Sequence, residues 1–119
     1  MPGNTQEKEY IIQKLNECLY EHVQDKDLNV EVLARLMYMS RPTLYRKMKS
    51  ITNLTPNELI NEARLKKAAA LLATGEYRVF EVARMVGYTS QSSFGKLFLK
   101  QFKVTPATYQ RMKKMMDAA

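Results

Sequence analysis

Apolar side chains recur along this chain at steps of three and four, the period of one helix face, and nowhere in the long alternation that marks a half-buried strand. Ile11 or Ile12, Leu15, Cys18, Leu19 and Val23 form a first stripe, closed by the polar run Asp25-Lys26-Asp27. Val30, Leu33, Ala34 and Met37 form a second, at steps of 0, 3, 4 and 7. Ser40 then stands where an N-cap belongs, ahead of a helix that carries Leu44, Met48 and Ile51 inward. Pro42 falls in the first turn of that helix, where a missing N–H costs little. Thr55, Pro56 and Glu58 together make the start signal of a longer helix, and Gly75 stands where it ends. That helix has about 19 residues and a length of roughly 28 Å. Within it Leu59, Ile60, Ala63, Leu65, Ala68, Ala69, Leu71 and Leu72 point in many directions, as in a helix buried between neighbours.

Beyond Gly75 the pattern repeats. Val79, Val82, Ala83 and Val86 again fall at 0, 3, 4 and 7, and Ser90 precedes Phe94, Leu97, Phe98 and Phe102 as Ser40 precedes its own stripe. Ala34-Arg35 matches Ala83-Arg84, Leu44 matches Phe94, Met48 matches Phe98, and Thr55-Pro56 matches Thr105-Pro106. The offset is 49 before the turn and 50 after it, so one residue is inserted around Gly87-Tyr88 relative to Tyr38. Thr105 and Pro106 open a last helix carrying Tyr109, Met112 and Met116. The fold class is therefore all-α, with an internal duplication.

A short helix, a tight turn and a second helix with a polar, basic outer face is the helix-turn-helix arrangement, whose second helix enters a DNA major groove. This chain carries two. On the first candidate recognition helix Pro42, Tyr45, Arg46 and Lys49 share the face opposite the apolar residues, and no acidic residue occurs from Arg35 to Asn57. The corresponding positions of the second are Ser92, Gly95, Lys96 and Leu99, with Gln91 in its first turn, a smaller and less charged face. Successive major-groove faces recur about every 34 to 36 Å, so a linking helix of roughly 28 Å suits two recognition helices reading adjacent grooves.

Charge sharpens this picture. Among the 119 residues the net charge is +7, yet residues 1–30 carry −3 and residues 31–119 carry +10. Such regional basicity points to a polyanion, either nucleic acid or an anionic membrane surface, with a merely solvated surface as the plain alternative. No run approaches the roughly 18 apolar residues of a membrane span, and the first ten residues lack a signal-peptide core. The chain reads as cytosolic. A single cysteine, Cys18, allows no internal disulfide and no zinc site of its own. The sequence shows no nucleophile with a base, no paired carboxylates and no phosphate loop, so neither an enzyme nor a cofactor is expected.

The segments LARLMYMSRPTLYRKMKSITNLTPNELI, ARLKKAAALLATGEYRVFEVARMVGY and TSQSSFGKLFLKQFKVTPATYQ together resemble the DNA-binding domain of AraC-type transcription regulators. The resemblance covers the chain from about Glu9 to Lys114 and implies seven helices in two helix-turn-helix lobes joined by a long central helix. On that basis residues 1–8 are a leader or linker, 9–55 the first lobe, 56–74 the linking helix, and 75–119 the second lobe with the terminal helix. It implies base-reading roles for Arg41, Pro42, Tyr45 and Arg46 in the first lobe and for Gln91, Ser92, Ser93 and Lys96 in the second. Ser40 and Ser90 stand where family members approach phosphates. The run LYRKMKSITNLTPNELI is further similar to the carboxyl-terminal domains of bacterial hybrid two-component regulators of polysaccharide use. This implies an output domain apart from its sensor, kinase and receiver, with Met1-Pro2-Gly3 as an added start. Double-stranded DNA is the expected partner and RNA polymerase a further candidate; the isolated domain is expected as a monomer and its parent as a dimer. The family usually has glycine where this chain has Tyr38, Asn53 and Lys103, and of these only Asn adopts the left-handed conformation readily, so the turns at Tyr38 and Lys103 are expected to differ or carry strain.

Plainer roles compete at several positions. Tyr45 either contacts DNA or packs on its own lobe. Lys47, Lys49, Lys66 and Lys67 either meet phosphates or form a solvated face. Phe94, Phe98 and Phe102 read as core and not as stacking platforms for bases. His22 and Cys18 read as structural. Met112, Met115 and Met116 either join an adaptable core or mark a contact with another domain. Against DNA reading stands a helical protein-interaction or RNA-binding module, which the duplicated, capped, basic helix disfavours.

Overall fold

The computed structural model describes the backbone of residues 2–118 and, among them, seven α-helices and no strand. They are α1 (Pro2–His22), α2 (Val30–Leu36), α3 (Arg41–Ile51), α4 (Pro56–Thr74), α5 (Val79–Met85), α6 (Gln91–Phe102) and α7 (Pro106–Ala118). The boundaries follow local chemistry. Asn29, Ser40, Thr55 and Ser90 each accept a backbone N–H of the first turn with a side-chain oxygen. At α4 the box is reciprocal, since Glu58 accepts the Thr55 N–H at 3.0 Å while Thr55 accepts the Glu58 N–H at 3.2 Å. Gly75 closes α4 in the left-handed conformation, with φ +72°.

Two hydrophobic cores result. The first joins Leu15 and Leu19 of α1, Leu28, Leu33 and Ala34 around α2, Leu44 and Met48 of α3, and Ile60 of α4. The second joins Leu65, Ala68, Ala69 and Leu72 of α4, Val82, Ala83 and Val86 around α5, Tyr88, and Phe94 and Phe98 of α6. The rings of Phe94, Phe98, Phe102 and Tyr109 stack in sequence through this second core, with neighbouring centroids 4.5 to 5.7 Å apart. One helix thus serves both lobes: the first turns of α4 close the α2–α3 unit, and its later turns open the α5–α6 unit.

Arg64 sits where α4 passes from one core to the other. Its side chain is buried, 7% exposed, and its Nη2 donates to the Asp25 carbonyl at 2.8 Å while Nη1 donates to the Gly87 carbonyl at 3.2 Å. The guanidinium also lies 5.6 Å from the Tyr88 ring centroid, and the Tyr88 hydroxyl donates to Asn61 Oδ1 at 2.9 Å. Burial pushes the Tyr88 hydroxyl up to about 12. Gly87 has φ +90°, and a Cβ there would meet the Val23 carbonyl oxygen at 2.4 Å. Only glycine lets the second lobe's turn approach the end of α1 this closely.

Three local features add to the sequence reading. The segment 1–8, read as a leader or linker, lies within α1 from Pro2 onward, because Gln6, Glu7, Lys8 and Glu9 favour helix and nothing interrupts it before the first apolar turn. Of the three turns with a missing glycine, Tyr38 and Lys103 keep the left-handed conformation, at φ 57° and 66°, and so carry its cost. Asn53, the residue best suited to it, is not at positive φ: Thr52 extends instead, at φ −153°, and its Oγ1 accepts the Leu54 N–H at 3.2 Å. Third, α7 half-buries Tyr109 but leaves Met112, Met115 and Met116 exposed, so the methionines at the tail are not core.

Candidate nucleic-acid interface

In α3 the burial of Leu44 and Met48 fixes which way the helix faces, and the 3.6-residue period then turns Arg41, Pro42, Tyr45, Arg46 and Lys49 outward together. All five are exposed. Ser40 anchors the N-terminus twice over, accepting the Thr43 N–H at 3.3 Å and donating to Thr43 Oγ1 at 2.9 Å. Arg46 Nη2 reaches the same Thr43 Oγ1 at 3.5 Å, so the guanidinium leans toward the helix start. In helix-turn-helix proteins generally, the N-terminal residues of the second helix are those that meet base edges. A guanidinium held there matches the O6 and N7 acceptors of guanine.

The neighbouring cations are differently engaged. Arg41 pairs with Glu31 of α2 at 3.3 Å, an exposed contact of the kind that yields readily to a stronger anion. Lys47 is half-buried and turns away toward α1, where it meets Glu7 at 2.8 Å; the ammonium holds that carboxyl below its usual range. Of the phosphate candidates on α3, Lys49 alone has no carboxylate partner among the described residues. On α4, Lys66 pairs with Glu62 at 3.0 Å, and Lys67 lies 4.8 Å from the Tyr20 ring centroid.

The second lobe repeats the plan with smaller groups. Ser90 accepts the Ser93 N–H at 3.2 Å, and Phe94 and Phe98 are fully buried, which exposes Gln91, Ser92, Ser93, Lys96 and Leu99 on the outer face. The aromatic residues of α6 are core, as their spacing indicates. Gly95 stands amid this outer face, and a Cβ there would meet nothing within 4 Å. No neighbouring helix requires that glycine.

His22 and Cys18 are held in structural contacts. His22 Nδ1 donates to the Cys18 carbonyl at 2.8 Å, a helix-end contact, and burial pushes the Cys18 thiol up, away from a reactive thiolate. Among the described residues no cluster of His, Cys, Asp and Glu suits a metal ion, and no helix is long and apolar enough to cross a membrane. Arg64 is the residue of consequence that the sequence reading missed. Its signal was present: Pro56, Ile60, Arg64, Ala68 and Leu72, at four-residue steps, are all buried, so Arg64 occupies a core row.

Comparison with known proteins places this geometry. Residues 33–112 match the family described as a helix-turn-helix domain. The chain is similar to the regulatory protein SoxS of Salmonella typhimurium, 38% identical over 100 residues that cover 84% of this chain and 92% of SoxS. It is also 36% identical over 102 residues to the histidine kinase P4 of Formosa agariphila, where the match covers 86% of this chain but only 7% of that much longer protein. Among solved structures, the DNA-binding domain of AdpA, a global transcriptional factor in complex with a target DNA, superposes with a TM-score of 0.78 and 31% identity, covering 87% of this chain and 93% of that one.

Proposed function

The chain belongs to the AraC-type helix-turn-helix family of DNA-binding transcription regulators, which are not enzymes, and from that premise we propose that it reads double-stranded DNA by inserting α3 and α6 into successive major grooves. The observation that carries this reading is the pair of capped, outward-polar helices held on one 19-residue helix, each with its apolar face locked in its own core. In this reading Arg41, Pro42, Tyr45 and Arg46 meet base edges in one groove, and Gln91, Ser92, Ser93 and Lys96 in the next. Ser40, Ser90 and Lys49 approach phosphates, with Lys47 joining them on release from Glu7. That AdpA's domain was captured on its target DNA supports the mode.

The likeness to a 7% segment of a histidine kinase supports a role as the output domain of a larger, signal-responsive cytoplasmic regulator, with RNA polymerase as a further partner and a dimeric parent. Selection from a random duplex library, followed by sequencing, tests the function. The expected product is a site whose two conserved blocks lie one helical turn apart. Recovery without sequence preference, or preference for RNA, would refute it.

A further inference from the structure

Two recognition helices on one chain specify a site only if the protein fixes their separation and relative rotation. Both cores pack on α4, which sets the separation of the lobes along its axis. Off that axis the lobes meet where the end of α1 approaches the turn between α5 and α6, and Arg64 lies in that contact. On α4 it follows Ala63, packed against the first core, and precedes Leu65, buried in the second. From there it grips a carbonyl from each lobe: Asp25, just beyond α1, and Gly87, in the turn between α5 and α6.

The contact is specific on both sides. Gly87 presses so near the Val23 carbonyl oxygen that a Cβ would meet it at 2.4 Å and the Arg64 Cζ at 3.0 Å. The next residue, Tyr88, covers the guanidinium with its ring and returns to α4 through Asn61. Rotation of the second lobe about α4 must draw Gly87 away from Arg64 and break this set. The planar guanidinium reaches both carbonyls at once, which a point-like ammonium does not.

We propose that Arg64 is a positioning residue that sets the base-pair spacing between the two half-sites read by α3 and α6. The inference rests on the two-groove reading above. One inserted base pair shifts the second half-site by about 3.4 Å and turns it by about 35°, a change that a clamped pair of lobes cannot follow and a released pair can.

The experiment starts from the best duplex that the wild-type chain recovers from the random library, with one base pair inserted or deleted between its half-sites. Affinities for the three duplexes are measured with wild type, Arg64→Met, which keeps the packing methylenes, and Arg64→Lys, which keeps the charge. Wild type should lose roughly tenfold or more at either altered spacing. R64M should bind the parent duplex less well and hold the three within about threefold of one another, with R64K between. A structural defect alone weakens all three duplexes alike and leaves their ratio unmoved. A cooperatively folded R64M with the full wild-type spacing penalty overturns the proposal. If R64M does not fold, an R64K penalty equal to wild type's does the same. Failure of the wild-type chain to recover any preferred duplex removes the DNA-reading function instead, so the two ideas fail by different results.

Discussion

Replacing Gly95 by alanine should make the protein more stable. Gly95 is the fifth residue of the twelve in α6, well inside the helix, where glycine costs about 1 kcal/mol relative to alanine. The usual offsetting cost, a clash of the new methyl, is absent, because nothing lies within 4 Å of the Cβ position and the backbone there is ordinary helix. The full gain of about 1 kcal/mol should therefore appear. With an unfolding entropy of about 2.1 cal/mol/K per residue over 119 residues, it corresponds to a rise in Tm of about 4 °C. Thermal unfolding followed by circular dichroism at 222 nm measures it directly. An unchanged or lowered Tm would refute the reasoning, since it would mean that the glycine serves an interaction within the folded chain. The same variant bears on function. If α6 lies with its backbone close to DNA at this point, the more stable protein should bind its selected duplex more weakly; equal affinity would identify the glycine as neutral drift.

Other outcomes follow from the same geometry. Arg46→Ala should cost about 1 to 3 kcal/mol on the preferred duplex and relax preference at one position, whereas Lys49→Ala should weaken all duplexes evenly and lower the salt slope by about 1; a competition assay over a salt series separates the two. Lys103→Gly should stabilise by about 0.5 to 1 kcal/mol in chemical denaturation, because it relieves a left-handed non-glycine residue at φ 66° while adding some unfolded-state freedom. The Glu58 carboxyl is held below its usual value of 4.5 by the Thr55 backbone and hydroxyl. Its contribution should therefore be complete above about pH 4.5 and vanish as pH falls through the lower folded-state value, and Glu58→Ala should flatten that part of the stability profile.

Local signals in the sequence proved reliable where the chemistry is local. Ser40, Thr55, Gly75 and Ser90 mark helix ends because their side chains or backbones satisfy groups within three or four residues, and those bonds form as the spacing indicates. The outward faces of α3 and α6 were legible for the same reason: once Leu44, Met48, Phe94 and Phe98 turn inward, Arg46 and Lys96 have nowhere to point but out. Long-range pairings were not legible. Lys47 has the composition of a phosphate-binding lysine, and only the packing of α1 across α3 brings Glu7 to it from 40 residues away. Arg64 reads as a surface charge beside Lys66 and Lys67 until the four-residue row from Pro56 to Leu72, which winds around the helix from one core to the other, is seen to pass through it. The turn at Asn53 shows a different limit, since residue preference permits the left-handed state there but a neighbouring hydroxyl offers the backbone another way to close the helix.

The sharing of α4 between two cores bears on how the molecule comes apart. Each repeat of the duplicated pattern has only two short helices of its own and borrows a wall from the helix before it and the helix after it. For the first repeat the closing wall is the start of α4; for the second, the opening wall is the rest of the same helix. Fraying α4 from either end strips one repeat, and the loss shortens the helix that the other repeat leans on. Proteolysis near Ala63 would thus leave two fragments, each with an open core, where a duplicated sequence suggests two self-sufficient beads. The lobes should melt in a single transition, with calorimetric and van't Hoff enthalpies that agree.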